Sequence, residues 1–213
     1  MDVALNLGKT ICWHRISWHP VQTENGSIII GKIANIHEEY IRISALRHLA
    51  TSDVLTGLTN HTYAKECIRQ RLSSQQDTDF ALILMDIDFF KTANDQYGHI
   101  FGDHVLRYTA GKLRSAVLGS DIAARVGGDE FMVFLEDRGG LEEIVNRIFL
   151  ALTGEYSGFP VSVSMGIART DTAGRSYNTL FHCADQALYA AKQEGRGRHV
   201  FYHAGIDSLP RQV

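Results

Sequence analysis

Long apolar runs are the first thing this sequence lacks. The longest clear one, Phe80 to Met85, has six residues, against the roughly 18 that a membrane-spanning helix needs. No membrane span is expected. The opening residues, Met1 to Cys12, also lack the basic start and extended apolar stretch of a secretion signal, so the reading is a soluble, cytoplasmic chain. Cysteine is scarce as well. Cys12, Cys67 and Cys183 are odd in number, far apart and without metal-type spacing, which fits reduced thiols better than a disulfide framework. Nor is there an excess of positive charge. A formal net charge of −3 argues against a nucleic-acid coat, which needs a basic face, but a local cluster can still hold a small phosphate ligand. No internal repeat and no low-complexity segment is present.

What is present is 213 residues, 45% of them apolar, enough for one main domain with a sizeable core plus an appendage. Trp13 to Val21 and Ser27 to Ile36 read as two strands joined by a turn through Glu24-Asn25-Gly26, and a lone pair of strands is marginally stable. From His37 to Ser52 the pattern is helical, with Ile41, Ala45, Leu46 and Leu49 on one face. That helix could pair with its copy or pack on its own domain.

From Asp53 onward helix and strand alternate. Ala64 to Leu72 is helical; Phe80 to Asp88 is a buried central strand; Asp103 to Val117 is helical. Ile122 to Val126 and Phe131 to Glu136 pair across Gly127-Gly128-Asp129-Glu130, a helix from Leu141 to Leu152 precedes the strand Val161 to Ala168, and a last helix, Tyr177 to Glu194, stops at Gly195. The order βαββαβ, with a further helix and a short final strand, predicts an α+β fold: a ferredoxin-like sheet with helices packed on it.

The chemistry concentrates in carboxylates. Asp86 and Asp88 end an apolar strand, and residues two apart on a strand share a face. They would repel unless a cation or water relieved them; a solvated strand end capping the next helix is the plain alternative. Phe89-Phe90-Lys91 then sets backbone amides and a fixed cation alongside, a combination suited to a triphosphate. The hairpin Arg125-Val126-Gly127-Gly128-Asp129-Glu130-Phe131 supplies two glycines for close backbone approach and an acidic pair at its tip. In a ferredoxin-like sheet it lies beside the central strand, so Asp129 and Glu130 can meet Asp86 around a metal, with phosphates completing a set suited to Mg²⁺.

These pieces, taken in order, resemble the GGDEF diguanylate cyclases from about Asp53 to Tyr202. They are Asp53-Val-Leu-Thr-Gly-Leu-Thr-Asn60, Met85-Asp-Ile-Asp-Phe-Phe-Lys91, Asn94-Asp95, Gly98-His99, Gly102-Asp103, Gly127-Gly-Asp-Glu-Phe131, Val163-Ser-Met-Gly166, and Ala184-Asp-Gln-Ala-Leu-Tyr189 with Lys192 and Gly195-Arg196. The resemblance implies a bacterial signalling transferase that condenses two GTP into cyclic di-GMP and two pyrophosphates. It would depend on Mg²⁺ or Mn²⁺ and act as a two-fold homodimer, each subunit carrying one GTP; the alternative is a degenerate domain that binds GTP without catalysis. It implies that Asp86, the carbonyl of Ile87 and Asp129 hold the metal. Asn94 and Asp103 would read guanine with His99 close by, which favours GTP over ATP, while Phe89, Phe90, Lys91 and Gly128, with Lys192 and Arg196, would serve the phosphates. Asp129, Glu130 and Lys91 carry the catalytic roles, with the base left between Asp129 and Glu130 and Asp129 preferred.

By the same resemblance, residues 1–36 look like the closing hairpin of a PAS-type sensor, residues 37–52 a signalling helix, residues 53–205 the catalytic domain and residues 206–213 a tail. Three positions depart from the family pattern. Leu118-Gly-Ser-Asp121 stands where many members have Arg-x-x-Asp, so the product-inhibition site is expected to be absent, Asp121 being retained without its arginine. His61-Thr62 replaces a basic pair after Asn60, and Gly197 follows Arg196 where asparagine is common.

Overall fold

The structure, a computed structural model, describes residues 1–6, 11–24 and 26–206. The expected turn residue Asn25 and the tail beyond residue 206 lie outside the described residues. Two units divide the chain, Met1–Ala50 and Thr51–Val213.

The first unit is a three-stranded antiparallel sheet, in which β2 (Ile11–Thr23) lies between β1 (Asp2–Asn6) and β3 (Gly26–Asn35), followed by α1 (His37–Thr51). β1 is a strand that the sequence reading left out; five residues without a turn signal become a strand only because β2 offers a partner. Asp2 stands opposite Arg15 and pairs with it at 2.8 Å. β1 reaches no further than Arg15 along β2, so Pro20 sits where that side of β2 is an open edge and a missing N–H costs no ladder bond. Trp13 stacks on Tyr40 of α1, ring centres 4.0 Å apart. Ile36 is buried, whereas Trp18, Ile29 and Ile33 on the sheet and Leu46 and Leu49 on α1 remain exposed.

The second unit begins with β4 (Thr59–Asn60) and α2 (His61–Ser74), whose first turn is capped by the Asn60 side chain accepting from the N–H of Tyr63. Then come β5 (Phe80–Ile87), α3 (Phe90–Tyr97), α4 (His99–Ala116), β6 (Ile122–Gly127), β7 (Glu130–Glu136) and α5 (Leu141–Leu152). The chain closes with β8 (Gly154–Tyr156), β9 (Phe159–Val161), β10 (Val163–Arg169), α6 (Thr170–Ala173), α7 (Tyr177–Gln193) and β11 (His199–Phe201). The main sheet runs β11-β10-β5-β7-β6-β4, and its β10-β5-β7-β6 centre has the ferredoxin-like order of an α+β fold.

The apolar run in β5 has a direct cause. Ala81, Ile83, Met85 and Ile87 face Leu106, Ala110 and Leu113 of α4 and Val145 and Ile148 of α5. Phe80, Leu82 and Leu84 face Ile68 of α2 and Leu180, Ala184 and Leu188 of α7. A strand covered on both faces has no reason to alternate. Helix coverage at Gly166 of β10 is closer still: a Cβ there would meet the carbonyl oxygen of Ala184 and the amide of Leu188, both α7 backbone. Glycine at this position lets α7 lie directly on the sheet.

Several elements go beyond the sequence reading. α3 forms as a helix of its own ahead of α4, and the expected strand from Val161 divides at Ser162 into β9 and β10. No helix of the described residues is long and apolar enough to cross a membrane.

Candidate active site

The sequence-selected residues collect at one end of β5 and on the elements beside it. Asp86 stands opposite Glu130 in the β5–β7 ladder, and the amide of Ile87 donates to the carbonyl of Asp129 at 3.3 Å. The hairpin tip is thus fastened to the strand end, and Asp86, Ile87, Asp129 and Glu130 form one acidic neighbourhood. Gly128 at the turn has φ +53°, which any L side chain would adopt at a cost.

Lys192, in the last turn of α7, reaches into this neighbourhood and pairs with Asp86 at 2.7 Å. Burial pushes the Asp86 carboxyl above the ordinary aspartate value, helped by the charges of Asp129 and Asp88 and opposed by Lys192. Glu130 is raised too, first by partial burial and then by Asp86, with Asp129 and Asp185 adding to the effect and Lys192 opposing it. Anionic charge is therefore crowded here beyond what one lysine neutralises, and a cationic or cation-bearing ligand would relieve it. Among the described residues no group of three or more His, Cys, Asp or Glu side chains is arranged to hold a metal ion. A cation bound here would draw on backbone and ligand oxygens besides Asp86 and Asp129.

Asp88 departs from the sequence reading, which placed it with Asp86 on one face. β5 ends at Ile87, and the Asp88 carboxylate, 2% exposed, turns inward. It accepts from the hydroxyls of Ser162 at 2.8 Å and Ser164 at 2.7 Å and from the amide of Gly197 at 3.0 Å. A buried carboxylate with three donors is satisfied without a metal. Its work is to tie β10 and the loop after α7 to the end of β5.

Phe89, Phe90 and Lys91 form the start of α3, with Phe89 as its N-cap in a left-handed conformation, φ 56°. The first amides of an α-helix have no partner within it and lie at the positive end of its dipole, as an anion site requires. Phe89 and Lys91 are exposed. The guanidinium of Arg196 lies over the Phe89 ring, 5.2 Å from its centre. Asn94 on α3 packs against Gly102 of α4, the residue before Asp103, where an added Cβ would collide with the Asn94 carboxamide. His99, the first residue of α4, is exposed.

Two residues that the sequence reading gave no role brace the tip. Arg125 donates to the carbonyl of Gly128 at 3.0 and 2.7 Å and pairs with Asp53 at 3.3 Å. Burial works against an ionised Asp53, but hydrogen bonds from Thr56 and the Arg125 guanidinium outweigh it and hold the carboxyl below its ordinary value. Their positions inside the quoted motifs were the available signal. The partnership was not, since it spans 72 residues.

Of the departures, Leu118 is exposed and the Asp121 carboxylate accepts from the Leu118 amide at 2.8 Å, so Asp121 closes its own turn. His61 shares a hydrogen bond of 2.7 Å with the Tyr177 hydroxyl and stacks on Phe181. It joins α2 to α7. Burial pushes the Tyr177 hydroxyl up to about 12, which keeps it protonated at any ordinary pH.

Comparison with known proteins bears on the family and the fold. Residues 50–198 match the family model described as diguanylate cyclase, GGDEF domain. The chain is 37% identical over 160 residues to diguanylate cyclase DgcP of Pseudomonas aeruginosa, covering 71% of this chain and 24% of that protein. It is 32% identical over 190 residues to cyclic di-GMP phosphodiesterase PdeR of Escherichia coli, covering 86% and 29%. A crystal structure of the coiled coil and GGDEF domain of DgcB from Caulobacter crescentus, in complex with c-di-GMP, superposes with a TM-score of 0.70 at 27% identity, covering 79% of this chain and 93% of that one. The chain spans about a quarter of the length of DgcP and somewhat more of PdeR. By its family match, its fold and its Gly127–Phe131 signature, the chain belongs to the GGDEF diguanylate cyclase family.

Proposed function

We propose that the chain is an active diguanylate cyclase, which joins two GTP molecules into cyclic di-GMP at a site completed by two facing copies. The observation that carries this reading is the acidic neighbourhood itself. Asp86 and Glu130 are paired across β5 and β7, Asp129 is bonded to Ile87, and both raised carboxyls sit beside Lys192 and the start of α3. A structural site would gain nothing from such crowding.

In the proposed reaction the guanine is read by Asn94 and Asp103, whose amide and carboxylate complement its O6 acceptor and its N1 and N2 donors, with His99 close by. The start of α3, with Phe89, Phe90 and Lys91, and the cations Lys192 and Arg196 take the phosphates. The donor set of Asp86, Asp129 and the Ile87 carbonyl is hard oxygen, which suits Mg²⁺, and a bound Mg²⁺ would stabilise charge on the attacking and leaving oxygens. Asp129 or Glu130 accepts the proton of the 3′-hydroxyl. That oxygen forms a bond to the α-phosphorus of the nucleotide on the other copy, and the bond from that phosphorus to pyrophosphate breaks. Two such steps release two pyrophosphates. Positioning and charge stabilisation supply most of the rate. Residues 1–52 would carry the input that brings two copies together.

The test is to incubate the purified chain with GTP and Mg²⁺ over a range of protein concentrations and separate the nucleotides by chromatography. Cyclic di-GMP is expected, with more than first-order dependence on protein. GTP binding without product, even from an artificially dimerised form, would overturn the reading in favour of a degenerate GTP receptor.

A further inference from the structure

Phe89 and Arg196 are not glycines, yet both have left-handed backbones, at φ 56° and 64°. Such a conformation is unfavourable for any residue with a Cβ, so something in the fold must hold it. They sit on different loops, one after β5 and one after α7, and their guanidinium–ring contact is 5.2 Å. The residues beside them are joined as well: the amide of Gly197 donates to Asp88 at 3.0 Å, a bond that spans 109 residues. Asp88 is in turn fixed by Ser162 and Ser164, and the Arg196 amide by the carbonyl of Ala191 at 3.0 Å. The two loops are therefore linked by two adjacent rungs, one buried and polar, the other exposed and aromatic.

Core packing does not explain the aromatic rung. Phe89 is 61% exposed, and its side chain makes no cap bond to α3. We propose that the Phe89 ring is a positioning residue: it holds the Arg196 guanidinium over the start of α3, so that a nucleotide triphosphate meets a preformed cradle of amides and cation. This deepens the reading of the site given above and rests on it. A loop arginine that must be ordered on binding loses rotamer freedom. Stacked on a ring by its face, a guanidinium is ordered beforehand and keeps its N–H edge available to a phosphate.

The test uses the full chain with four variants: Phe89→Leu, Phe89→Trp, Arg196→Gln and the double variant Phe89→Leu with Arg196→Gln. Without nucleotide, the Arg196 side-chain proton resonances are expected upfield from the ring current, normal in Phe89→Leu and upfield again in Phe89→Trp. GTP affinity, measured by calorimetry with Mg²⁺, is expected to fall roughly two- to fivefold in Phe89→Leu, as an exposed cation–π contact predicts, and to recover in Phe89→Trp. In the Arg196→Gln background the Phe89→Leu change should have no further effect. Equal losses from Phe89→Leu in both backgrounds would overturn the positioning role while leaving the nucleotide site intact. Failure of the unaltered chain to bind either GTP or inorganic triphosphate would overturn the site reading, and the positioning role with it.

Discussion

Asp86 illustrates what a functional carboxylate costs a fold. Its folded value is raised by burial above the ordinary 3.8, so the ionised form is less comfortable in the folded chain than in the unfolded one. The sign follows directly. The stability linked to Asp86 is fully present below pH 3.8 and is lost as the pH rises through its raised value. Replacing it by a neutral isostere should therefore help the metal-free protein more at neutral pH than at pH 3.8, where the carboxyl is still largely protonated in the folded chain. Asp86→Asn is expected to melt higher than the unaltered chain by a margin that widens with pH, and to lose cyclase activity. Melting curves at the two pH values check this, and a margin that narrows with pH would sink it. Asp53 runs the other way, since its lowered carboxyl contributes stability that is lost as pH falls. The two residues differ by their partners. Asp53 has Thr56 and Arg125, whereas the single lysine beside Asp86 also answers for the charge of its acidic neighbours.

At the scale of elements, two glycines decide how helices present the site, and they should fail differently. A Cβ at Gly166 meets α7 backbone atoms that cannot rotate away, so Gly166→Ala must lift α7, with Lys192, off β10. An overpacked core costs about 1–3 kcal/mol, and more when the obstacle is backbone. At Gly102 the obstacle is chiefly the Asn94 side chain, and alanine inside a helix recovers roughly 1 kcal/mol of propensity. Gly102→Ala is therefore expected to keep its free energy of unfolding within about 1 kcal/mol of the unaltered chain and to lose GTP affinity by roughly tenfold, the loss of one good hydrogen-bonding group. Gly166→Ala should lose the fold first. Urea titrations beside GTP calorimetry separate the two, and equal stability losses would show that Asn94 is held as rigidly as backbone. The sequence motifs contain both glycines, but only the packing tells a helix–sheet contact from a side-chain contact.

For the whole molecule, regulation by product is the property most open to a direct test. The surface at Leu118 and Asp121 has no arginine at the first position, and Asp121 is engaged with the Leu118 amide. Added cyclic di-GMP is expected to leave the initial rate unchanged, and Leu118→Arg, which changes an exposed residue, is expected to introduce inhibition. Initial rates with and without added product decide it; inhibition of the unaltered chain abolished by Asp121→Ala would contradict the expectation. The sequence by itself determined the alternation of strands and helices, the central strand and the residue types at the hairpin tip. Those signals are local, because side-chain periodicity and turn chemistry act between near neighbours. Only the tertiary structure decided that Asp88 is a fastening rather than a partner of Asp86, that Arg125 joins Asp53 to the hairpin tip, and that Arg196 rests on Phe89. Each of these depends on residues from distant parts of the chain meeting at one end of the sheet, and no local pattern records which distant residue will arrive.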